Sequence, residues 1–246
     1  MNPLLIAGLM LAGSVIGWYQ RALIARYAVP AGQPLQCGPA HDGQARPRRW
    51  LPWPLRTPAG GGPAGCGRTG PPALAVGATT ATLLGALAFR VHPGPVLAAA
   101  CWLAVWAVPL AFIDVAVHRL PDALTAPAYA GTATLLLLGA ATSGRWDDLL
   151  RAGLGGLALA GFYVALIFIA PSGMGMGDTK LSASTGTLLA WLSWGTLVTG
   201  ALAGFVLGGL YGIGLLALRG ATRKQQIPFG PFLIAGAFAV IIARPL

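Results

Sequence analysis

Leu181-Ser-Ala-Ser-Thr-Gly-Thr-Leu-Leu-Ala-Trp191-Leu-Ser-Trp-Gly195-Thr-Leu-Val-Thr-Gly200-Ala-Leu-Ala-Gly-Phe-Val-Leu-Gly-Gly-Leu210-Tyr-Gly-Ile-Gly-Leu-Leu-Ala-Leu218 fills the 38 residues between Lys180 and Arg219 without one formal charge. A helix crosses a bilayer in about 20 apolar residues, so this stretch predicts two spans that turn near Trp191 to Gly195. Further uncharged runs predict spans over Pro3 to Trp18, Ala73 to Phe89, Pro95 to Phe112, Ala123 to Ala141, Leu149 to Ala170 and Phe229 to Ala243. With 56% hydrophobic and 9% charged residues, the chain reads as an all-α integral membrane protein of about eight transmembrane helices. A first helix (1–29) is followed by a long Pro/Gly/Arg-rich loop (30–72) and a seven-helix domain (73–246).

Orientation follows from the basic residues. With the N-terminus outside, the inner loops hold Arg21, Arg26, Arg46, Arg48, Arg49, Arg56, Arg68, Arg119, Lys180, Arg219, Arg223 and Lys224, against Arg90, Arg145, Arg151 and Arg244 outside. The positive-inside rule therefore places both termini outside and the loop 30–72 in the cytoplasm. Asp114, Asp122 and Asp178 then all lie at cytoplasmic helix ends. The net charge of +10 is the charge of basic inner loops facing anionic headgroups. Nucleic acid is not an expected partner, since no basic stripe is interleaved with aromatics. The first segment is expected to stay as an anchor, because Met1-Asn-Pro3 lacks a positive region and Arg21 and Arg26 follow the apolar run.

Carboxylates are costly beside hydrocarbon and mark a site. Asp114 ends Phe112-Ile-Asp114, and Asp178 ends Gly173-Met-Gly-Met-Gly-Asp178. Two carboxylates brought together share one proton, which supplies a base and an acid at one pH and lets water attack a peptide carbonyl. A plainer reading of Asp114 is an interfacial acid paired with His118 or Arg119. Asp122, after Pro121, sits in the first turn of the next helix, where a negative charge is favoured. Gly173, Gly175 and Gly177 let the backbone bend and another chain approach, as an extended substrate needs; a flexible loop explains them equally. Lys180 either holds Asp178 ionised or follows the positive-inside rule.

Cys37, His41 and Cys66 in the long loop are weak zinc candidates, since a closed site wants four ligands and paired C-x-x-C clusters. Free cytosolic thiols are expected instead, and a disulfide is disfavoured there. Cys101 reads as a small packing residue. The histidines form no H-E-x-x-H, which excludes a zinc metalloprotease of that kind, and all three fall in predicted loops, which disfavours a serine–histidine pair.

Three ordered segments now stand out: Ile113-Asp114 leading to Leu120-Pro121-Asp122-Ala-Leu-Thr125, Gly173-Met-Gly-Met-Gly-Asp178-Thr-Lys180-Leu181, and Ile227-Pro-Phe-Gly-Pro-Phe232. In these the chain resembles the type IV prepilin peptidases, bacterial members of the G-x-G-D class of intramembrane aspartyl proteases. The resemblance implies removal of a short basic leader from prepilins or pseudopilins at the cytoplasmic face of the inner membrane, after a glycine and before a hydrophobic helix. It assigns the catalytic pair to Asp114 and Asp178, makes Asp122 a motif residue and gives Pro228 to Pro231 a structural role. Gly13-Ser14, Arg21, Pro52, Cys66 and Pro72 look like remnants of the domain that in many members carries paired cysteines and methylates the new N-terminus. Here the paired cysteines are single and the chain contains no glutamate, so neither S-adenosylmethionine nor zinc is an expected cofactor, and proteolysis needs none.

One carboxylate would take a proton from water while the other donates to the carbonyl oxygen and then to the leaving amine. Local unwinding around Gly173 to Gly177 would present the precursor strand. Two rivals are a small carrier whose aspartates bind a proton or cation and a catalytically dead assembly subunit. The first often shows an internal repeat, which the Asp114 and Asp178 segments do not form; the second predicts a lost aspartate, and both are present.

Overall fold

Backbone amides find no water in hydrocarbon, so each apolar run closes its hydrogen bonds on itself. The computed structural model describes residues 3–28, 71–169, 175–219 and 228–244, and among them are eight helices and no strand. In chain order these are α1 (Pro3–Tyr27), α2 (Ala73–Arg90), α3 (Pro95–Val117), α4 (Asp122–Ser143), α5 (Trp146–Ile169), α6 (Met176–Leu192), α7 (Trp194–Arg219) and α8 (Gly230–Ala243). Six are long and apolar enough to cross a membrane. The protein is thus an α-helical, multi-pass membrane protein. Of the shorter two, α6 with 17 residues is at the lower edge of the usual spanning length and α8 with 14 is below it.

The turn expected near Trp191 to Gly195 falls at Ser193, whose hydroxyl accepts the Thr196 N–H at 3.0 Å and caps α7. The end of α1 differs from expectation. The helix continues past Trp18 to Tyr27 because Gln20 (2% exposed) and Ile24 are buried against the bundle. Pro109 explains the polar one of these. Lacking an N–H, it leaves the Val105 carbonyl, one turn earlier in α3, without its helical donor. Gln20 Nε2 donates to that carbonyl at 2.7 Å, and Gln20 Oε1 accepts from Thr80 Oγ1 at 2.7 Å. One buried amide thereby joins α1, α2 and α3.

Helix pairs α1/α2, α5/α6, α7/α8 and α3/α4 pack most extensively. Small residues permit the close approaches. At Gly17 a Cβ would fall on the Gly77 backbone, and at Gly236 on the Gly204 backbone. α6 is the enclosed member of the bundle. Its buried Ser182, Thr185 and Thr187 donate to carbonyls three or four residues earlier in α6, and so bring no unpaired hydroxyl inside. Its last carbonyls, at Ala190 and Trp191, accept from the Arg151 guanidinium of α5, a cation where the helix dipole favours one.

Candidate active site

α3 does not stop at Asp114 but runs one more turn to Val117, and His118 closes it in a left-handed conformation (φ 52°) with its N–H on the Asp114 carbonyl at 2.8 Å. This sets the Asp114 carboxylate inside the last turn, facing the bundle at 4% exposure. Leu120 is buried, and Pro121 stands just ahead of α4, its carbonyl accepting the Leu124 N–H at 3.0 Å. Asp122 is the first residue of α4, as expected.

Asp178 lies in the first turn of α6 at 6% exposure. Its Oδ2 accepts the Gly175 N–H at 3.3 Å, while Oδ1 is buried without a partner among the described residues. α8 supplies the third side. The first N–H groups of a helix have no acceptor within it, and Pro231 has no N–H at all; Gly230 donates its own to Asp114 Oδ2 at 3.0 Å. A Cβ on Gly230 would lie 2.9 Å from Asp114 Oδ2 and 3.5 Å from Asp178 Oδ1. Both carboxylates therefore reach one point. Two helix N-termini, those of α6 and α8, meet the pair with donors and favourable dipoles. In front of it opens a cavity of about 320 Å³, lined by both aspartates, His118, Arg119, Leu120 and residues 175–177.

Other expected site residues divide. Lys180 does not pair with Asp178; its Nζ meets Asp122 Oδ1 at 2.6 Å, an exposed link between α6 and α4. Nor does Asp114 pair with His118 or Arg119, since the ion pairs among the described residues involve Asp122 and Asp148 only. Gly177 lines the same cavity and lies against this chain's own Leu120, whose Cβ would be 2.5 Å from a Cβ there. Gly175 stands exposed at the cavity. Cys101 is free and partly buried in α3, packed against the core. Gly173 and the metal candidates Cys37, His41 and Cys66 lie outside the described residues. Gly230 is the residue that sequence reasoning under-read: its motif was visible, but its bond to Asp114 spans 116 positions.

Two comparisons with known proteins bear on this site. Residues 101–213 match the type IV leader peptidase family. Relatives carrying the name prepilin leader peptidase/N-methyltransferase include one from Aeromonas hydrophila, 40% identical over 164 residues (66% of this chain, 55% of the relative), and one from Legionella pneumophila, 35% identical over 148 residues (56% and 48%). A third, from Pseudomonas aeruginosa, is 35% identical over 153 residues (58% and 49%). The chain spans about half the length of the curated relatives it matches. No solved structure gives a significant match.

Proposed function

We propose that the chain, whose residues 101–213 match the type IV leader peptidase family, is a membrane aspartic endopeptidase that removes the leader from prepilin or pseudopilin precursors, with Asp114 and Asp178 as its catalytic pair. The observation that carries this reading is the convergence of two buried carboxylates on the wall of one cavity, each held by a backbone N–H at a helix end.

The chemistry follows from that arrangement. Gly230 and Gly175 each hold one carboxylate oxygen, which fixes the orientation of both acids before substrate arrives. With one proton between them, the ionised carboxylate removes a proton from water, whose oxygen forms the new bond to the scissile carbonyl carbon. The protonated partner donates to the carbonyl oxygen. Collapse of the tetrahedral intermediate breaks the C–N bond as a proton passes to the leaving amine, and the pair returns to its singly protonated form. Acid–base catalysis of this kind contributes about 10²- to 10⁴-fold.

The cavity lies where α3 ends and α4, α6 and α8 begin, and the excess of basic residues in the loops on that side supports a cytoplasmic face. A multi-pass protein of the inner membrane, with both termini outside, meets a leader peptide there. Arg119 at the cavity and Lys180 beside it belong to this basic face. N-methylation of the product is not part of the proposal, for want of a glutamate and of paired cysteines; neither zinc nor S-adenosylmethionine enters the reaction.

The test is cleavage of a pilin-like precursor from the same genome by protein in liposomes. Asp114→Ala and Asp178→Ala should abolish cleavage with helical content and membrane insertion intact, and Asp122→Ala should leave it. Cleavage by either of the first two variants overturns the assignment, and proton or cation flux in the same liposomes then tests the carrier alternative.

A further inference from the structure

Tyr163 of α5 is fully enclosed and sits in an aromatic cluster. Its ring centroid is 5.8 Å from that of Phe205 and 5.8 Å from that of Phe229, with Phe162 at 6.1 Å. The other three members are phenylalanines, so packing there needs a ring and not a hydroxyl. Yet position 163 has one, and it is buried without a partner among the described residues. Buried tyrosine hydroxyls are ordinarily bonded, because an unbonded one is costly.

Its neighbourhood holds a candidate partner. Asp178 Oδ1 is the oxygen of that acid left without a donor among the described residues, and it lies 3.5 Å from the position that a Cβ on Gly230 would take. Phe229, packed on Tyr163, directly precedes Gly230, the donor to Asp114. The aromatic cluster thus adjoins the helix end that holds Asp114; of the two hydroxyls buried without a partner among the described residues, that of Tyr163 belongs to this cluster and that of Thr179 to the residue after Asp178.

Resting on the peptidase reading above, we infer that Tyr163 is a positioning residue of the aspartate pair, its hydroxyl donating to Asp178 Oδ1 through one bound water. A buried water linking two such groups is ordinary in polar interiors. The link gives Asp178 a donor on each oxygen, Gly175 on Oδ2 and Tyr163 on Oδ1, so that its carboxyl keeps one orientation while the proton changes owner.

Tyr163→Phe keeps the ring and deletes the link. The expected result in liposomes is a kcat lowered roughly tenfold or more, the worth of one hydrogen bond to a charged group, with KM within about twofold because Tyr163 acts through Asp178 and not on substrate. A second readout needs no turnover. With ¹³C-labelled aspartate, the infrared carboxyl band that disappears in Asp178→Asn should shift in Tyr163→Phe. If Tyr163→Phe loses thermal stability while the folded protein keeps wild-type kcat and an unshifted band, the role is packing and the inference is overturned. If wild type cuts, Asp178→Ala does not and Tyr163→Phe matches wild type in both readouts, the inference alone fails. Cleavage by Asp178→Ala removes the peptidase reading and this inference with it.

Discussion

Gly230→Ala adds a single methyl group at the point where the two carboxylates meet. A Cβ there would stand 2.9 Å from Asp114 Oδ2, 3.4 Å from Asp114 Cγ and 3.5 Å from Asp178 Oδ1. The first distance is shorter than a carbon and an oxygen tolerate, so either the Asp114 carboxylate swings away or the first turn of α8 lifts. Both movements lengthen the 3.0 Å bond from the Gly230 N–H. A hydrogen bond to a charged acceptor is worth about 1.5–3 kcal/mol, and with 1.36 kcal/mol per tenfold in rate its loss lowers kcat by roughly ten- to hundredfold. Folding should suffer less, because Leu233 and Phe238 of α8 remain buried in the core. Gly209→Ala in α7 is the control: a Cβ there meets nothing within 4 Å, and alanine in a helix interior gains about 0.5–1 kcal/mol over glycine. The assay is leader cleavage in liposomes beside thermal unfolding of the same preparations. Wild-type kcat in a folded Gly230→Ala, or an equal loss in Gly209→Ala, would refute the reasoning that Gly230 holds the pair.

Three further outcomes follow from the contacts. Gly177→Ala drives a methyl onto Leu120 and should lower cleavage at least about tenfold by parting α6 from the α3–α4 turn, an overpacking cost of about 1–3 kcal/mol; Leu120→Ala in the same chain should restore much of it, and an absence of rescue in the double-mutant cycle would show that the two do not clash. Lys180→Ala and Asp122→Ala each break an exposed ion pair and should change unfolding free energy by less than about 1 kcal/mol and cleavage by only a few-fold, measured in the same liposomes. Gln20→Leu strands the Val105 carbonyl and should destabilise by about 1–3 kcal/mol in detergent unfolding, whereas adding Pro109→Ala, which returns a helical N–H to Val105, should recover part of that loss.

What was legible in the chain was whatever depended on neighbours in sequence. Uncharged runs announced the helices, and the turn at Ser193 came from the length of one such run and its Trp191 to Gly195 segment. Asp114 and Asp178 stood out because acids beside apolar stretches are rare, and no knowledge of their mutual distance was needed. Helix ends were harder. α1 outlasts its apolar run because Gln20 answers a carbonyl freed by Pro109, and this donor comes from 85 positions away.

Lys180 shows a different failure, one that helix geometry could have prevented. Residues two apart on a helix face different sides, so a lysine following Asp178 by two is directed away from it, toward α4 and Asp122. The same lesson applies to the glycines. Gly177 was read as room for a substrate strand because freedom of approach is all that a sequence reveals about a glycine; the fold adds that this chain's own Leu120 stands against it at the cavity wall. Gly230 completes the argument. Its motif could be seen, but the value of its missing side chain rests on α3 and α8 meeting end to start, which places one backbone N–H on one acid and leaves both acids facing a point that any larger residue would fill.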